Sequence, residues 1–324
     1  MALPAAASVI SSGLAGYPTV YYDRVAIDTL RANLFLYPGL ELKQMPDRSG
    51  VAMQIFNYSA YTANVTPATE GTPGAGQALT QNTRSLALSQ YVDYVSYSDQ
   101  VVLTAISDIV AEGASELAFR GALSVDTVIA TTVDTAANSD SATRIEITDG
   151  SYMTASISRK CAYGLRSLNV KPKANGLFYG VIPAVMAFDM VNDSTAGGFI
   201  DLTKYAQPDK NLEGVSNNRI GVIGGVEWFE SNALPTETHW QSSVNNGYHA
   251  YVFGKDAFIG SSLKTTKLGQ KNFAVKTSKF DQPVAADPAN QIAAASSYNF
   301  FFGVVKTPGS TNKFRRVRGE SSIG

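Results

Sequence analysis

The stretch VTPATEGTPGAGQALTQNT, residues 65–83, is where the reading of this chain turns. Its nineteen residues hold two prolines, three glycines, five threonines and one charge, Glu70, and nothing in them can nucleate a core. Both flanks alternate. On the N-terminal side GVAMQIFNYSAY (50–61) sets Val51, Met53 and Ile55 on one face and Gln54, Phe56 and Tyr58 on the other. On the C-terminal side RSLALSQYVDYVSYS (84–98) sets Leu86, Leu88, Val92 and Tyr94 on one face. Two period-2 runs around a turn-rich segment predict an antiparallel hairpin with residues 65–83 as its end. An isolated hairpin is marginal in water, and structureless loops beyond about 12–15 residues are uncommon unless they have a task. A tip without an apolar cluster has nothing with which to dock on its own domain, so another subunit is the expected partner.

Composition agrees. The 324 residues suit one or two domains. Charged residues make up 16%, against roughly a quarter in average globular chains, while aromatics reach 10%. A chain poor in charge and rich in aromatics resembles one that buries surface against partners. The net charge of −1 gives no global attraction for nucleic acid or an acidic membrane. Cys161 is the only cysteine, which excludes an intrachain disulfide and suits a reducing cytoplasm. The first 22 residues carry no charge and lack both a basic leader and an unbroken apolar span. They read as an arm that lies on something else.

Residues 21–39 suggest a short helix stopping at Pro38-Gly39. Asp99 opens the clearest helical pattern, as a cap for the first turn. Leu103, Ile106, Val110, Ala114, Leu117, Gly121, Val125 and Val128 follow at spacings of three and four, with Thr104, Asp108, Glu112 and Ser115 opposite. At 1.5 Å per residue this predicts a helix of roughly 45 Å. A second helix is expected over 151–168, burying Met153, Ile157, Cys161, Leu165 and Leu168. Beyond it, 177–183 reads as a strand and 184–193 as a helix. Residues 219–231 read as a strand interrupted by a bulge or close approach at Gly224-Gly225. Residues 248–254 and 290–305 read as further strands, the last one long.

No catalytic constellation emerges. His239 and His249, with Glu237, have no metal-ligand spacing. Cys161 falls on an apolar helix face, where a thiol is inert. Gly74-Ala75-Gly76 and Gly221, Gly224 and Gly225 do not open a helix after a strand, as a phosphate-binding loop requires. The expectation is therefore no catalytic residues, no cofactor and no metal. Lys313, Arg315, Arg316 and Arg318 form the main charge cluster, partly offset by Glu320. It reads as a solvated terminus, with phosphate contact as the alternative.

Arm, long hairpin, long helix, mixed α/β insert and returning strand come in a particular order. In that order the chain resembles the major capsid proteins of tailed double-stranded DNA phages, and among them the N-four-like coat proteins. The residues that carry the resemblance are ATEGTPGAGQALT (68–80), SQYVDYVSYSDQ (89–100), RIGVIGGVEWFESNALP (219–235), YVFGKDAFIG (251–260) and DPANQIAAASSYNFFFG (287–303). It spans about Arg24 to Lys306. Ala68 departs from the family's larger apolar residue, and Val92 from its common glycine.

The resemblance implies an α+β shell subunit of the Johnson fold that self-assembles as hexamers and pentamers into an icosahedral capsid. Its parts would be an N-terminal arm (1–49), an extended hairpin (50–98), a peripheral domain with a spine helix (99–170 and 284–324) and an axial domain (171–283). Portal, scaffold or cement proteins and packaged double-stranded DNA would be the other partners, with no membrane, in a virion folded in the host cytoplasm. It would not be an enzyme. A secreted or surface-layer β-rich structural protein is the alternative. Some relatives of this fold join subunits through a lysine on the extended loop. Residues 50–98 contain no lysine, Arg84 being their only basic side chain, and a guanidinium is a poor nucleophile. Contacts between subunits are expected to be non-covalent.

Overall fold

The computed structural model describes residues 8–9, 36–45, 50–67, 70–71, 74, 76–105, 108–173, 175–194, 219–232, 234–238, 240, 246–263, 275–279, 292–309 and 312–323. Two sheets and one long helix make the frame. In chain order the strands are β1 (Ser8–Val9), β2 (Glu41–Met45), β3 (Ala52–Tyr58), β4 (Gln81–Ala87), β5 (Ser89–Ser98), β6 (Arg144–Glu146), β7 (Phe178–Ile182), β8 (Arg219–Ile223), β9 (Val226–Glu230), β10 (Thr236–Glu237), β11 (Gly247–Phe253), β12 (Phe258–Leu263), β13 (Val275–Lys279), β14 (Ile292–Lys306) and β15 (Phe314–Gly319). The helices are α1 (Asp99–Thr104), α2 (Ile109–Asn138), α3 (Ala155–Arg166) and α4 (Ala184–Val191).

The expected single helix from Asp99 is two. Ser98, not Asp99, caps α1 by accepting from the Val101 amide, and the chain turns extended at Ala105. Asp108, expected on the polar face, instead caps α2 by accepting from the Ala111 amide at 3.2 Å. A second N-cap inside the periodic run starts a new helix. The 30 residues of α2 span roughly 45 Å. Because α1 does not continue α2, Leu103 leaves the predicted stripe and stands 82% exposed. Leu117, Gly121 and Val125 face inward as expected, joined by Ile129, Ala130, Val133 and Ala137.

The predicted strand 84–98 also divides, at Leu88. β4 pairs antiparallel with β3, matching Met53 to Leu86 and Ile55 to Arg84. β5 leaves the hairpin and pairs along β14, from Ser89 opposite Phe302 to Ser98 opposite Ile292. The crossing is close: a side chain on Gly303 would meet the Ala87 carbonyl. Leu86 and Val92 are thus in different sheets, and Val92 is exposed.

The first sheet runs β1-β5-β14-β12-β2, with β13 also on β14. Tyr298, Phe300 and Phe302 project from one face of β14 and share a buried cluster with Leu117, Val125 and Ile129 of α2. Tyr91 and Tyr298 stack on Phe300 with ring centroids 5.3 and 5.5 Å apart. The second sheet runs β6-β15-β11-β7-β9-β8, with β10 on β11. One face, through Tyr251, Phe253 and Phe314, joins the α2 cluster. The other, through Ala250, Val252, Val317 and Trp228, packs on α3 and α4.

Smaller elements differ at their ends. α3 starts at Ala155, with Thr154 accepting from the Ile157 amide, so Met153 precedes the helix and Leu168 lies beyond it, exposed. Gly224-Gly225 is a hairpin turn rather than a bulge: φ is +64° and +93°, as a two-residue turn between twisted strands requires. A side chain at Gly224 would meet Arg159 Cγ at 2.6 Å, so the turn seats directly on α3. The expected helix over 21–39 leaves only a 3-10 turn at Tyr37–Gly39 within the described residues.

Leu117→Asp tests the α2 face. It places an unpaired carboxylate in a site 2% exposed and should cost more than about 3 kcal/mol. The expected result is insoluble or degraded protein; soluble mutant with wild-type circular dichroism would place the core elsewhere.

Candidate assembly surface

The β3–β4 hairpin has two unlike faces. At its root Ile55 and Leu86 are buried against Ile259 of β12, with Met53 and Val305 beside them. Asn57 Nδ2 donates to the Pro308 carbonyl at 3.3 Å, pinning the root to the β14–β15 connection. The root therefore docks at home, which the composition of the tip did not suggest. The outer face does not dock. Phe56 and Tyr58 pack edge to face there with centroids 6.1 Å apart, and both are largely exposed.

Beyond the ladder, every described residue from Ser59 to Thr80 is exposed, including Tyr61, Val65 and Leu79. Order is kept by polar pairs. The Ser59 amide donates to the Thr80 carbonyl at 3.0 Å. The Gln77 side chain accepts from the Thr62 amide at 3.1 Å and donates to its carbonyl at 3.0 Å, standing in for one more rung of the ladder. The hairpin thus presents an apolar, nearly uncharged, hydrogen-bonded projection. Exposed apolar groups clustered in this way mark an interaction surface. Val92 on β5 and Leu103 on α1 add two more exposed apolar side chains near the hairpin's origin in sequence.

The C-terminal cations are not a solvated tail. Arg315, Arg316 and Arg318 lie in β15, paired with β11 on one side and β6 on the other, and Lys313 just precedes it. Arg316 is 0% exposed. Its Nη1 donates to Asn138 Oδ1 at 2.9 Å and lies 3.4 Å from Asp134 Oδ1, both on the last turns of α2. Arg315 points the other way and donates to the Gly164 carbonyl of α3 at 2.9 Å. Arg318 bridges Glu237 at 2.9 Å and Glu146 at 2.8 Å and covers the Trp240 ring. The phosphate-contact alternative fails with the solvated one for Arg315 and Arg316, because both are buried in the sheet. The strand escaped notice in the sequence because cations occupy both of its faces, which hides the period-2 pattern.

His249 belongs to the same cluster. It is buried between Asp134, 3.0 Å from Nδ1, and Glu237, 3.3 Å from Nε2. His239 lies outside the described residues. Among the described residues no group of three or more such side chains is arranged to hold a metal ion. Cys161 is buried and its thiol is pushed up to about 12, chiefly by that burial, so it stays protonated at neutral pH. Gly74 lies on the exposed tip, and Gly224-Gly225 in a turn, so neither cradles a phosphate at a helix start. No helix among the described residues is long and apolar enough to cross a membrane.

Comparison of the sequence with models of protein families and with curated proteins finds no match. Comparison of the fold finds phage capsids. The chain superimposes on the capsid of Ralstonia phage GP4 with a TM-score of 0.70 at 11% identity, covering 94% of this chain and 95% of that one. For the capsid of cyanophage P-SCSP1u the TM-score is 0.64 at 14% identity, covering 94% and 91%. For the capsid of cyanophage Pam1 it is 0.65 at 11%, covering 89% and 92%. The fold is that of phage capsid subunits, as the sequence resemblance implied, and the match leaves almost none of either chain over.

Arg316→Gln now carries the opposite expectation from a surface tail. Removing one partner from a buried ion pair costs about 3–5 kcal/mol, whereas Lys313→Gln should stay within about 0.5 kcal/mol. Urea unfolding of the two variants checks this; equal midpoints would mean that Arg316 is not held in the sheet.

Proposed function

We propose that this chain is the major shell subunit of a tailed double-stranded DNA phage, of the N-four-like kind, and that copies of it assemble as hexamers and pentamers into an icosahedral capsid. The observation that carries the reading is the near end-to-end match of this fold to capsid subunits. The projecting hairpin supports it independently, since its outer apolar face and tip have no partner within the described residues. A secreted or surface-layer role is not favoured by such a match. On this reading the subunit folds in the host cytoplasm, works without catalysis, cofactor or metal, and encloses packaged DNA. Portal, scaffold or cement proteins complete the particle.

The proposed division follows the sequence expectation: arm 1–49, extended hairpin 50–98, peripheral domain 99–170 with 284–324, and axial domain 171–283. Strand pairing favours one amendment. β6 and β15 hydrogen-bond into the sheet of β7, β9 and β11, and α3 packs on it, so residues 144–166 and 314–319 go with the axial body.

In a shell each hairpin lies across a neighbour. Interfaces of about 1,000–2,000 Å² are ordinary, and each yields less free energy than its area suggests once association entropy is counted. Many weak joints closing a symmetric shell then give a particle that is stable but correctable during assembly.

Replacing residues 65–83 by a short Gly-Ser turn should leave the subunit folded by circular dichroism, yet abolish regular particles in negative-stain images. Normal particles from that deletion would sink the proposal. Joints between subunits should also be free of covalent bonds. Mature particles boiled in detergent should give one band near 34.5 kDa, and a ladder of multimers surviving reductant would contradict this.

A further inference from the structure

A cavity of about 760 Å³ opens beside β7 and β9. Its apolar wall is the pair Tyr179 and Phe229, stacked with ring centroids 4.9 Å apart. Glu41 of β2 lines it as well, and so do Lys171 and Lys173 beyond α3 and Lys255 between β11 and β12. The cavity thus lies at a seam, where the edge strand of the first sheet meets the second.

Most of its ionic groups are engaged. Lys173 Nζ donates to the Pro38 carbonyl at 2.6 Å and lies 5.3 Å from the centroid of the Tyr179 ring. Glu41 and Asp256 are the acids that act on it. Glu227 is paired with Arg219 at 2.8 Å. Lys171 and Lys255 remain. The Lys255 amide donates to the Lys171 carbonyl at 2.9 Å, so the two residues stand side by side on the rim. Both are exposed, and neither makes an ion pair among the described residues.

The hairpin tip has the complementary chemistry. Glu70 is the one charge in residues 65–83, is exposed, and makes no ion pair among the described residues. Tyr61, Val65 and Leu79 stand exposed on the same projection, as suits a segment that enters an aromatic-walled hollow. The tip does not occupy the cavity of its own chain, since every described residue from Ser59 to Thr80 is exposed. A nucleic-acid strand fits less well, because its phosphates would meet Glu41 and Glu227 on the same walls. A nearly neutral segment with one carboxylate avoids that repulsion.

We infer that the cavity beside Tyr179 and Phe229 receives the hairpin tip of a second copy of this chain, with Glu70 facing Lys171 and Lys255. The inference rests on the proposed shell role and names the surface that the hairpin would engage on its neighbour. Apolar side chains of the tip lie against the aromatic wall and supply the burial. The carboxylate meets the two ammonium groups at the rim, where solvent screens them, so the pairing adds little affinity. Its effect is on selection: a tip presenting the wrong charge is repelled, and a misplaced tip leaves Glu70 without a counterion.

Carbodiimide coupling of the assembled wild-type chain tests this, because it joins a carboxylate only to an amine in contact with it. The expected product is a species of twice the chain mass on a denaturing gel. After trypsin, its linked fragment should join residues 49–84, through Glu70, to 167–173 or 220–264, through Lys171 or Lys255. Glu70→Gln should remove that fragment. Glu70→Lys and the pair Lys171→Glu with Lys255→Glu should each lose regular particles in negative-stain images, with circular dichroism unchanged. Combining all three reversals should restore them, which a mere folding defect would not allow. Wild-type particles in which Glu70 is unlinked, or linked to another lysine, overturn the inference and leave the shell reading standing. Normal particles from Glu70→Lys, or failure of the combined variant to recover them, overturn it equally. A wild-type chain that forms no particles or oligomers at all refutes the shell reading itself, and the inference with it.

Discussion

The contact between the aromatic row of β14 and the inner face of α2 is the constraint on which the subunit depends. β14 has strands along both edges, so its backbone is satisfied by β5 on one side and by β13 and β12 on the other. Tyr298, Phe300 and Phe302 then need cover on one face, and α2 supplies it. Fully burying each such side chain stabilises by about 1.5–3 kcal/mol. The same helix continues past the first sheet, where Ile129, Val133 and Ala137 meet Tyr251, Phe253 and Phe314 of the second. One helix therefore fixes the relation between two sheets that have few strands in common with each other's partners. The tight fit at Gly113, where a side chain would collide with Tyr97, sets how closely the start of the helix approaches β5.

Much of this was legible in the residues. The stripe from Val110 to Val125, the strand at 290–305 and the hairpin around a coreless tip all follow from hydrophobic period. Legibility failed where the neighbour changes along an element. The alternation from Arg84 to Ser98 runs on unbroken, yet β4 and β5 serve different sheets, and only the absence of a side chain at Gly303 marks the crossing. The break between α1 and α2 was written as Asp108, but an aspartate on a polar face and an aspartate at a cap look alike until the amide it accepts is known. Buried Asp126, accepting from the Leu36 amide at 3.3 Å, gave no periodic signal at all.

Charge was the least readable property. A chain with few ionic groups spends several of them inside. Arg316, His249 and Asp134 lie between the end of α2 and the second sheet, with Arg318, Glu237 and Glu146 at the rim. Buried ions are costly unless paired; here Arg316 meets Asn138 and Asp134, Arg315 a backbone carbonyl and Arg318 two carboxylates. The gain is register. Arg315 and Arg316 are adjacent but reach α3 and α2 on opposite faces, so sliding β15 by one residue would send each to the wrong helix. A strand of apolar residues alone would slide more easily. The last residues are fastened as well, with Ser321 donating to the Val185 carbonyl of α4 at 3.0 Å and Ser322 bonded to Asp189.

On the proposed reading the hairpin would divide its stabilisation between its own chain and a partner, and its composition suits that division. At the root, Ile55 and Leu86 bury apolar surface on Ile259, so the direction of the projection is set before any neighbour arrives. Further out, the Gln77–Thr62 bonds hold the two arms in pairing without a core. A projection that is already ordered loses less conformational entropy on docking, and that loss is among the largest costs of association. Charges on the tip would work against this, since each would have to shed water at the joint without a guaranteed counterion. Lysines would also be the flexible nucleophiles best suited to covalent coupling, and residues 50–98 contain none. On the proposed reading Glu70, the one charge in residues 65–83, would meet either solvent or a cation of the neighbour at that joint.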